Sequence, residues 1–313
     1  MNLPVAVVGG GMWGRALATR AVKSGQETFL YSRREGDEIP GVTTLRSLDG
    51  IGKRARLFFI AAPPTAVRIV ASELAEHIDG RHAVVHAVRG WVHEPLTTVS
   101  SVLRDELPTR KIGVLGGPAL AEELLSGAPS VLVVASSFRE TTDWVTEALR
   151  SPSLRVYSSS DLVGIEWSSA LMGSLAIAVG YAKEAGVHAG LLAALVCRAV
   201  DESARLVVAA GGTERSILGL AGYGDLLAST EQADRPEIKL GELLARGHLV
   251  EAALREVGER VDSALALPAV RKWAKERGIE TPIFDAIEEG MFTGIAPSKL
   301  IDRLMATTPQ PLH

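Results

Sequence analysis

Short apolar runs, each followed by a turn and then by a stretch of helical periodicity, recur through the first half of the chain. The runs are Val5–Val8, Thr28–Tyr31, Arg56–Ala61, Ala83–Val88, Lys111–Leu115 and Val131–Ala135, and Leu154–Tyr157 closes the series. Segments 64–78, 95–106 and 138–150 carry the helical pattern between them. Strands that lack polar alternation are buried on both faces. Alternation of such strands with helices predicts parallel pairing and an α/β layer architecture.

The texture changes near Ser158–Asp161. Beyond that point no segment reads as a strand, and a 3.6-residue period takes over. Leu192, Leu195, Val196 and Ala199 fall on one helical face, and Ile283, Ile287 and Met291 on another. The division predicts two domains, an α/β domain over 1–157 and an all-α domain over 158–313. No Pro-rich linker separates them, so a tight interface with a cleft is expected.

Length and composition agree with this division. The chain has 313 residues, more than one core usually organises, and 47% of them are hydrophobic. A formal net charge of −4 gives no general attraction to nucleic acid or to anionic membranes. Cys197 is the single cysteine, so no intramolecular disulfide forms, and a reducing cytoplasm fits. Its apolar surroundings predict a core thiol. Met1–Pro4 runs directly into the first strand with no signal-peptide pattern. The weakly polar stretch 170–182 reads as too short to span a bilayer. The expectation is a soluble, cytoplasmic protein.

The strongest local signal is V-V-G-G-G-M-W-G-R-A-L-A at 7–18, which contains Gly9-x-Gly11-x-x-Gly14. It follows a predicted strand and opens a helix whose Trp13, Ala16, Leu17 and Ala21 share a face, the context of a Rossmann dinucleotide fingerprint. Gly9 permits the tight turn, Gly11 lets backbone approach a pyrophosphate, and Gly14 lets the helix pack close to the strand. Free N–H groups at the helix start suit phosphates. At the end of the second strand stands Tyr31-Ser32-Arg33-Arg34, with no acid until Glu35. Two guanidiniums and a hydroxyl suit a ribose 2′-phosphate better than a bare ribose, so NAD(P) is the expected cofactor, with NADP(H) slightly preferred.

Further segments follow in order. They are A-A-P-P at 61–64, A-V-R-G at 87–90, G-G-P-A-L-A-E-E-L at 116–124, R-V-Y-S-S-S-D-L-V-G at 155–164, A-L-M-G at 170–173 and G-L-A-G-Y-G-D-L at 219–226. Together with the glycine loop, the set resembles the NAD(P)-dependent glycerol-3-phosphate dehydrogenase family, of the wider 6-phosphogluconate dehydrogenase-like group. The resemblance runs from Val5 to about Leu304. It implies a Rossmann domain followed by a helical substrate domain, and hydride transfer between dihydroxyacetone phosphate and glycerol 3-phosphate. It further implies that Met12 and Trp13 line the cofactor, that Arg33 sits by the adenosine ribose, and that Ala121 and Asp262 contact the cofactor. Gly117 would lie near the substrate, Asp225 beside the reacting centre, and Arg235 would grip both substrate phosphate and cofactor.

The departures from the family pattern fall at the chemistry. The family has lysine-glycine where this chain has Arg89-Gly90, and alanine-x-lysine-asparagine where it has Ala170-Leu171-Met172-Gly173. It has threonine at the position of Ala119, and asparagine at that of Pro236. Reduction of a ketone places negative charge on oxygen, which calls for a cation and a proton donor. A desolvated lysine does both. Met172 does neither, and Arg89 supplies charge but holds its proton, because a guanidinium titrates above about 12.

Three accounts stay open at this point. Another group or water handles the proton, with Ser168, Ser169, Asp225, His86, His93 and Lys183 weighed; the histidines read as packed or surface groups, the serines as helix packing and Lys183 as surface. Alternatively, the enzyme reduces a different small anionic carbonyl compound, with Arg235 as anion hook or as a solvated helix-start arginine. Thirdly, the chain binds NAD(P) without turnover, as a sensor or partner subunit. No His/Cys/Asp cluster has metal-ligand spacing, and Glu122 and Glu123 read as helix-start acids. The expected partner is a small anionic molecule, and a homodimer is left open.

Overall fold

The computed structural model describes residues 3–33, 36, 38–92, 96–232, 234–293, 295, 298–300 and 302. The described strands are β1 (Val5–Val8), β2 (Thr28–Tyr31), β3 (Val42–Leu45), β4 (Leu57–Ile60), β5 (Ala83–His86), β6 (Trp91–Val92), β7 (Thr97–Thr98), β8 (Ile112–Gly116), β9 (Ser130–Ser136) and β10 (Leu154–Ser159). Eight of them form one sheet in the order β10-β9-β8-β5-β4-β1-β2-β3, and β6 and β7 form a separate antiparallel pair. The chain runs outward from β1 through β2 to β3, then crosses to β4 and continues the other way. The strand order therefore reverses between β1 and β4, where Val8 lies opposite Ile60. In doubly wound sheets ligands bind at such a reversal, beyond the carboxyl ends of the strands.

β1, β2, β4 and β5 are wholly buried, as their continuous apolar runs require. Two differences from the sequence reading stand out. The edge strand β3 reads V-T-T-L with half-exposed and exposed positions, a pattern too polar to announce itself. The sheet is also not all parallel, because β9 pairs antiparallel with β8. The helix between them, α5 (Ala121–Ser126), has six residues and rises about 9 Å, too little to carry the chain back along the sheet for a parallel crossover.

The other helices of this half are α1 (Met12–Lys23), α2 (Ile51–Arg54), α3 (Val67–Ala75), α4 (Val99–Glu106) and α6 (Arg139–Leu149). Beyond β10 the described chain is helical: α7 (Leu162–Glu184), α8 (Ala189–Ala209), α9 (Glu214–Leu218), α10 (Asp225–Thr230), α11 (Pro236–Ala245), α12 (Val250–Val257), α13 (Asp262–Glu276) and α14 (Pro282–Phe292). Asp161 starts α7 by accepting the Gly164 N–H at 2.9 Å, and its other oxygen accepts the Thr213 N–H at 2.9 Å.

α7 is the axis of the helical half. It is longer than the apolar stretch 170–182, and by length and composition it would suffice to cross a bilayer. Yet 89% of its most apolar window is buried inside the fold, which makes it a core helix. α11 crosses it at glycine contacts. A methyl group on Gly180 would overlap the Ile238 carbonyl oxygen, and one on Gly241 the Ile177 carbonyl oxygen. α8 departs from expectation at its start: Leu192, Leu195 and Val196 are only half-buried, and Cys197 is exposed rather than a core thiol. A small apolar cavity of about 80 Å³ among Leu175, Leu226, Ile287 and Met291 offers no charged group.

The two halves share buried contacts. Val114, Val133 and Ala135 of the sheet pack with Leu162, Ile165 and Ala221, and Trp91 belongs to the core of the helical half. A buried polar link runs beside them. Glu166 of α7 accepts the Ser100 N–H at 2.9 Å, and His86 Nε2 at the end of β5 lies 3.2 Å from its carboxylate, off the hydrogen-bond axis. Burial alone would raise the Glu166 pKa, but His86 and the Ser100 donors hold it below its ordinary value.

Candidate active site

A cleft of about 940 Å³ opens where β1 and β4 end and reaches the helical half. Its walls include Gly9, Gly11, Met12, Trp13, Arg33, Ala61, Arg89, Gly117, Ala119, Ala121, Ser169, Arg235, Glu237 and Asp262. The cleft therefore brings together most of the residues singled out from sequence. Arg34 and His93 lie outside the described residues.

The β1 end is built from backbone. Gly9 has φ +126°, and a methyl group there would overlap the Ala61 carbonyl oxygen. One on Gly14 would overlap the Gly9 carbonyl oxygen, so both positions need glycine for the turn to close against β4. At Gly11 an added methyl would meet nothing within 4 Å, which leaves that backbone open to the cleft. Gly11 precedes α1 without any side-chain cap, so the first N–H groups of a twelve-residue helix face a ligand site. These features fit a dinucleotide pyrophosphate. Ser32 and Arg33 line the far end of the cleft, where Arg46 Nη1 holds the Ser32 carbonyl at 2.8 Å. Arg46 was not legible in sequence, because the strand it directly follows, β3, was not.

The opposite end is built from charge. Arg89 follows β5 and reaches Asp225, whose Oδ1 accepts its Nη2 at 3.0 Å. Arg235 Nη1 lies 3.6 Å from the same oxygen and also donates to Ser229 Oγ, while its Nε donates to Glu237 Oε2 at 3.0 Å. Asp225 is placed by its segment: Leu220–Gly224 forms a π turn, and Asp225 opens α10 directly after it. Burial pushes the Asp225 carboxyl up to about 6; Arg89 opposes that rise and Glu237 adds to it.

Three expectations change on contact with this geometry. Asp225 is 1% exposed and is not among the residues lining the cleft; it stands behind Arg89 and Arg235 and orients them. Arg235 is no solvated helix-start arginine, for it is 7% exposed with its Nη2 lacking any partner. Met172 is 0% exposed and belongs to the apolar core of the helical half, so it contributes nothing to the cleft wall. The neighbouring helix face supplies Ser169 and Ala170 instead. No lysine lines the cleft among the described residues.

The remaining candidates sort plainly. Gly117, with φ +113°, and Ala121 line the cleft, and Asp262 opens α13 beside Gly90 while pairing with Arg260. Glu123 accepts the Leu120 N–H at 3.3 Å, a helix-start role, whereas Glu122 faces the cleft. Ser168 and His86 are fully buried, and Lys183 is exposed with its Nζ on the Thr230 carbonyl at 2.9 Å. Glu237 was missed. One residue past Pro236, nothing in the sequence sets it apart from an ordinary acid in a first helical turn.

A Rossmann sheet with an open glycine turn, closed by a helical half that presents arginines, defines a two-domain NAD(P)-dependent dehydrogenase class. Residues 40–142 match the N-terminal part of the NAD-dependent glycerol-3-phosphate dehydrogenase family, and 161–302 its C-terminal part. The chain is 31% identical to glycerol-3-phosphate dehydrogenase (NAD(P)+) 2 of Salinibacter ruber, an alignment covering 100% of this chain and 97% of that one. It is 33% identical to the Moorella thermoacetica glycerol-3-phosphate dehydrogenase (NAD(P)+), over 97% of this chain and 96% of the other. The crystal structure of the Coxiella burnetii glycerol-3-phosphate dehydrogenase has the same fold, with a TM-score of 0.89 at 23% identity over 98% of this chain and 99% of that one. The chain belongs to the NAD-dependent glycerol-3-phosphate dehydrogenase family.

Proposed function

We propose that the chain is a cytoplasmic NAD(P)-dependent oxidoreductase that interconverts a small carbonyl compound and its alcohol. Dihydroxyacetone phosphate and glycerol 3-phosphate are the reference pair, as its relatives' names suggest. The observation that carries this reading is Arg89, one-third exposed at the cleft and held by a buried carboxylate. The first 157 residues would serve as the cofactor domain and the remainder as the substrate domain. The half-exposed apolar start of α8 supports a homodimer.

Gly9, Gly11, Met12, Trp13 and Gly14 would hold the pyrophosphate through backbone, and Arg33, with Arg34 beside it in sequence, the adenosine ribose end. Ala121, Arg235 and Asp262 would border the nicotinamide end. Bound there, NAD(P) supplies or accepts the hydride. Arg89 sets its positive charge where a carbonyl oxygen becomes alkoxide, the role that preorganised cations perform best in a site shielded from water. Asp225 fixes the direction of that guanidinium. Gly117, on the cleft wall, would lie beside the substrate, and Arg235 would meet its far end. The proton would come by way of water, with Ser169 on the cleft wall as a hydroxyl relay.

The test is oxidation of NADH and of NADPH with dihydroxyacetone phosphate, beside a panel of small carbonyl compounds. Turnover on any of them supports the reading. Tight dinucleotide binding with no turnover on the whole panel would overturn it in favour of a non-catalytic NAD(P)-binding protein, which the absence of lysine from the described cleft wall also favours.

A further inference from the structure

Arg235 is the cationic group of the cleft buried most deeply among the described residues, and its charge is already met from within the chain. Asp225 lies on one side of the guanidinium and Glu237 bonds its Nε at 3.0 Å, with Ser229 taking Nη1. Only Nη2 has no partner. Glu237 comes from the first turn of the helix that Arg235 itself caps, so the pair is enforced by two residues of sequence and by Pro236 between them. Its carboxylate also faces Gly173 of α7, where a methyl group would stand 3.6 Å from Oε1. Glu237 is thus held on the cleft wall between Arg235 and α7.

The local field follows from this arrangement. Two guanidiniums, Arg89 and Arg235, meet two carboxylates, Asp225 and Glu237, which leaves no uncompensated positive charge for an incoming anion. Glu231, Asp234 and Glu259 also line the cleft; Lys239 pairs with Asp234 at 3.2 Å, and Arg260 is itself paired with Asp262, so neither of these cations adds free positive charge. A doubly charged ligand group entering here has to displace or outbid an internal carboxylate. An uncharged hydroxyl makes no such demand on the guanidinium's charge. At recognition sites, an unfavourably placed like charge is what suppresses the wrong partner.

We propose that Glu237 is a specificity-determining residue that occupies Arg235 as an internal anion and lowers the site's preference for a phosphate dianion over an uncharged hydroxylated carbonyl compound. This rests on the reading of the cleft as a carbonyl–alcohol oxidoreductase site. The test is Glu237→Gln, which keeps the shape and removes the charge, assayed at saturating cofactor with dihydroxyacetone phosphate and with dihydroxyacetone. The ratio of kcat/KM for the phosphorylated over the unphosphorylated substrate should rise about tenfold or more, through KM of the phosphorylated one. Inorganic phosphate, titrated calorimetrically into the cofactor-loaded protein, should bind tighter by a similar factor.

An unchanged ratio together with unchanged or weaker phosphate binding would overturn the proposal. If neither protein turns over either carbonyl but phosphate binding tightens in the variant, the specificity role stands and the oxidoreductase reading falls. Glu237→Ser gives the same readouts should the glutamine variant fold poorly.

Discussion

The two ends of the cleft are made of different material. At the β1 end the ligand surface is backbone: a turn that closes only with glycine at 9 and 14, an open Gly11, and the uncapped start of α1. At the α7–α11 end it is side-chain charge, with Arg89, Arg235 and Glu237 on the cleft wall linked by Asp225 behind them. Backbone recognition depends on the fold and survives substitution of most side chains. Charge recognition changes sign or strength with a single residue. The departures expected from the family pattern, at Arg89, Ala119, Met172, Gly173 and Pro236, accordingly all fall outside the glycine loop.

The largest expected effect breaks the backbone end. Gly9→Ala forces a side chain into φ +126° and against the Ala61 carbonyl, so dinucleotide affinity should fall more than about a hundredfold, with a lower melting temperature. Fluorescence titration with NADPH measures it; affinity within a few-fold of the parent would refute the role of the turn.

Next comes Met172→Lys, which places the lysine expected from the sequence resemblance at a position that is 0% exposed. A buried ammonium without a partner costs on the order of 3 kcal/mol, so urea unfolding should show that loss, with no gain in turnover. A stable variant with raised kcat would mean that position 172 reaches the cleft.

A smaller effect concerns pH. Asp225 orients Arg89 only when ionised, and its folded pKa is raised from 3.8 to about 6. The logarithm of kcat/KM should therefore fall with unit slope as pH drops below about 6, and Asp225→Asn should remove that limb. The stability effect has the opposite sign. A carboxyl whose pKa is raised by folding favours the native state when protonated, and this contribution is lost as pH rises from about 4 through 6. The melting temperature of Asp225→Asn relative to the parent should accordingly increase across that interval.

The smallest effect tests the exposed edge of the cofactor end. Arg33→Ala should weaken NADPH about tenfold and leave NADH nearly unchanged, since only the 2′-phosphate needs the guanidinium. Equal losses for both cofactors would remove Arg33 from the 2′-phosphate site.

What could be read in the sequence follows the same division. β1 and β2 were assigned to the residue, because buried parallel strands are continuous apolar runs and the glycine spacing is local. β3 is not legible because an edge strand needs no such run, and the antiparallel direction of β9 is not legible because strand polarity depends on connection geometry. The charge cluster was legible only in parts. Arg89 and Asp225 stand 136 residues apart, and no periodicity announces that they meet. Arg235 could not be told from a surface arginine, nor Glu237 from a helix-start acid, because burial in a cleft is a property of the assembled halves. Met172 was marked by its alignment with a lysine, yet its apolar surroundings already described the core position it takes.

The most direct test of the division between the two ends is Arg89→Ala, with NADPH affinity and steady-state turnover measured on the same preparation. The expected result is unchanged cofactor affinity with kcat/KM for the carbonyl substrate lower by about 10² to 10³, the usual effect of removing a group that stabilises developing oxyanion charge. Normal turnover in Arg89→Ala, or a loss of cofactor affinity that accounts for the whole defect, would contradict it.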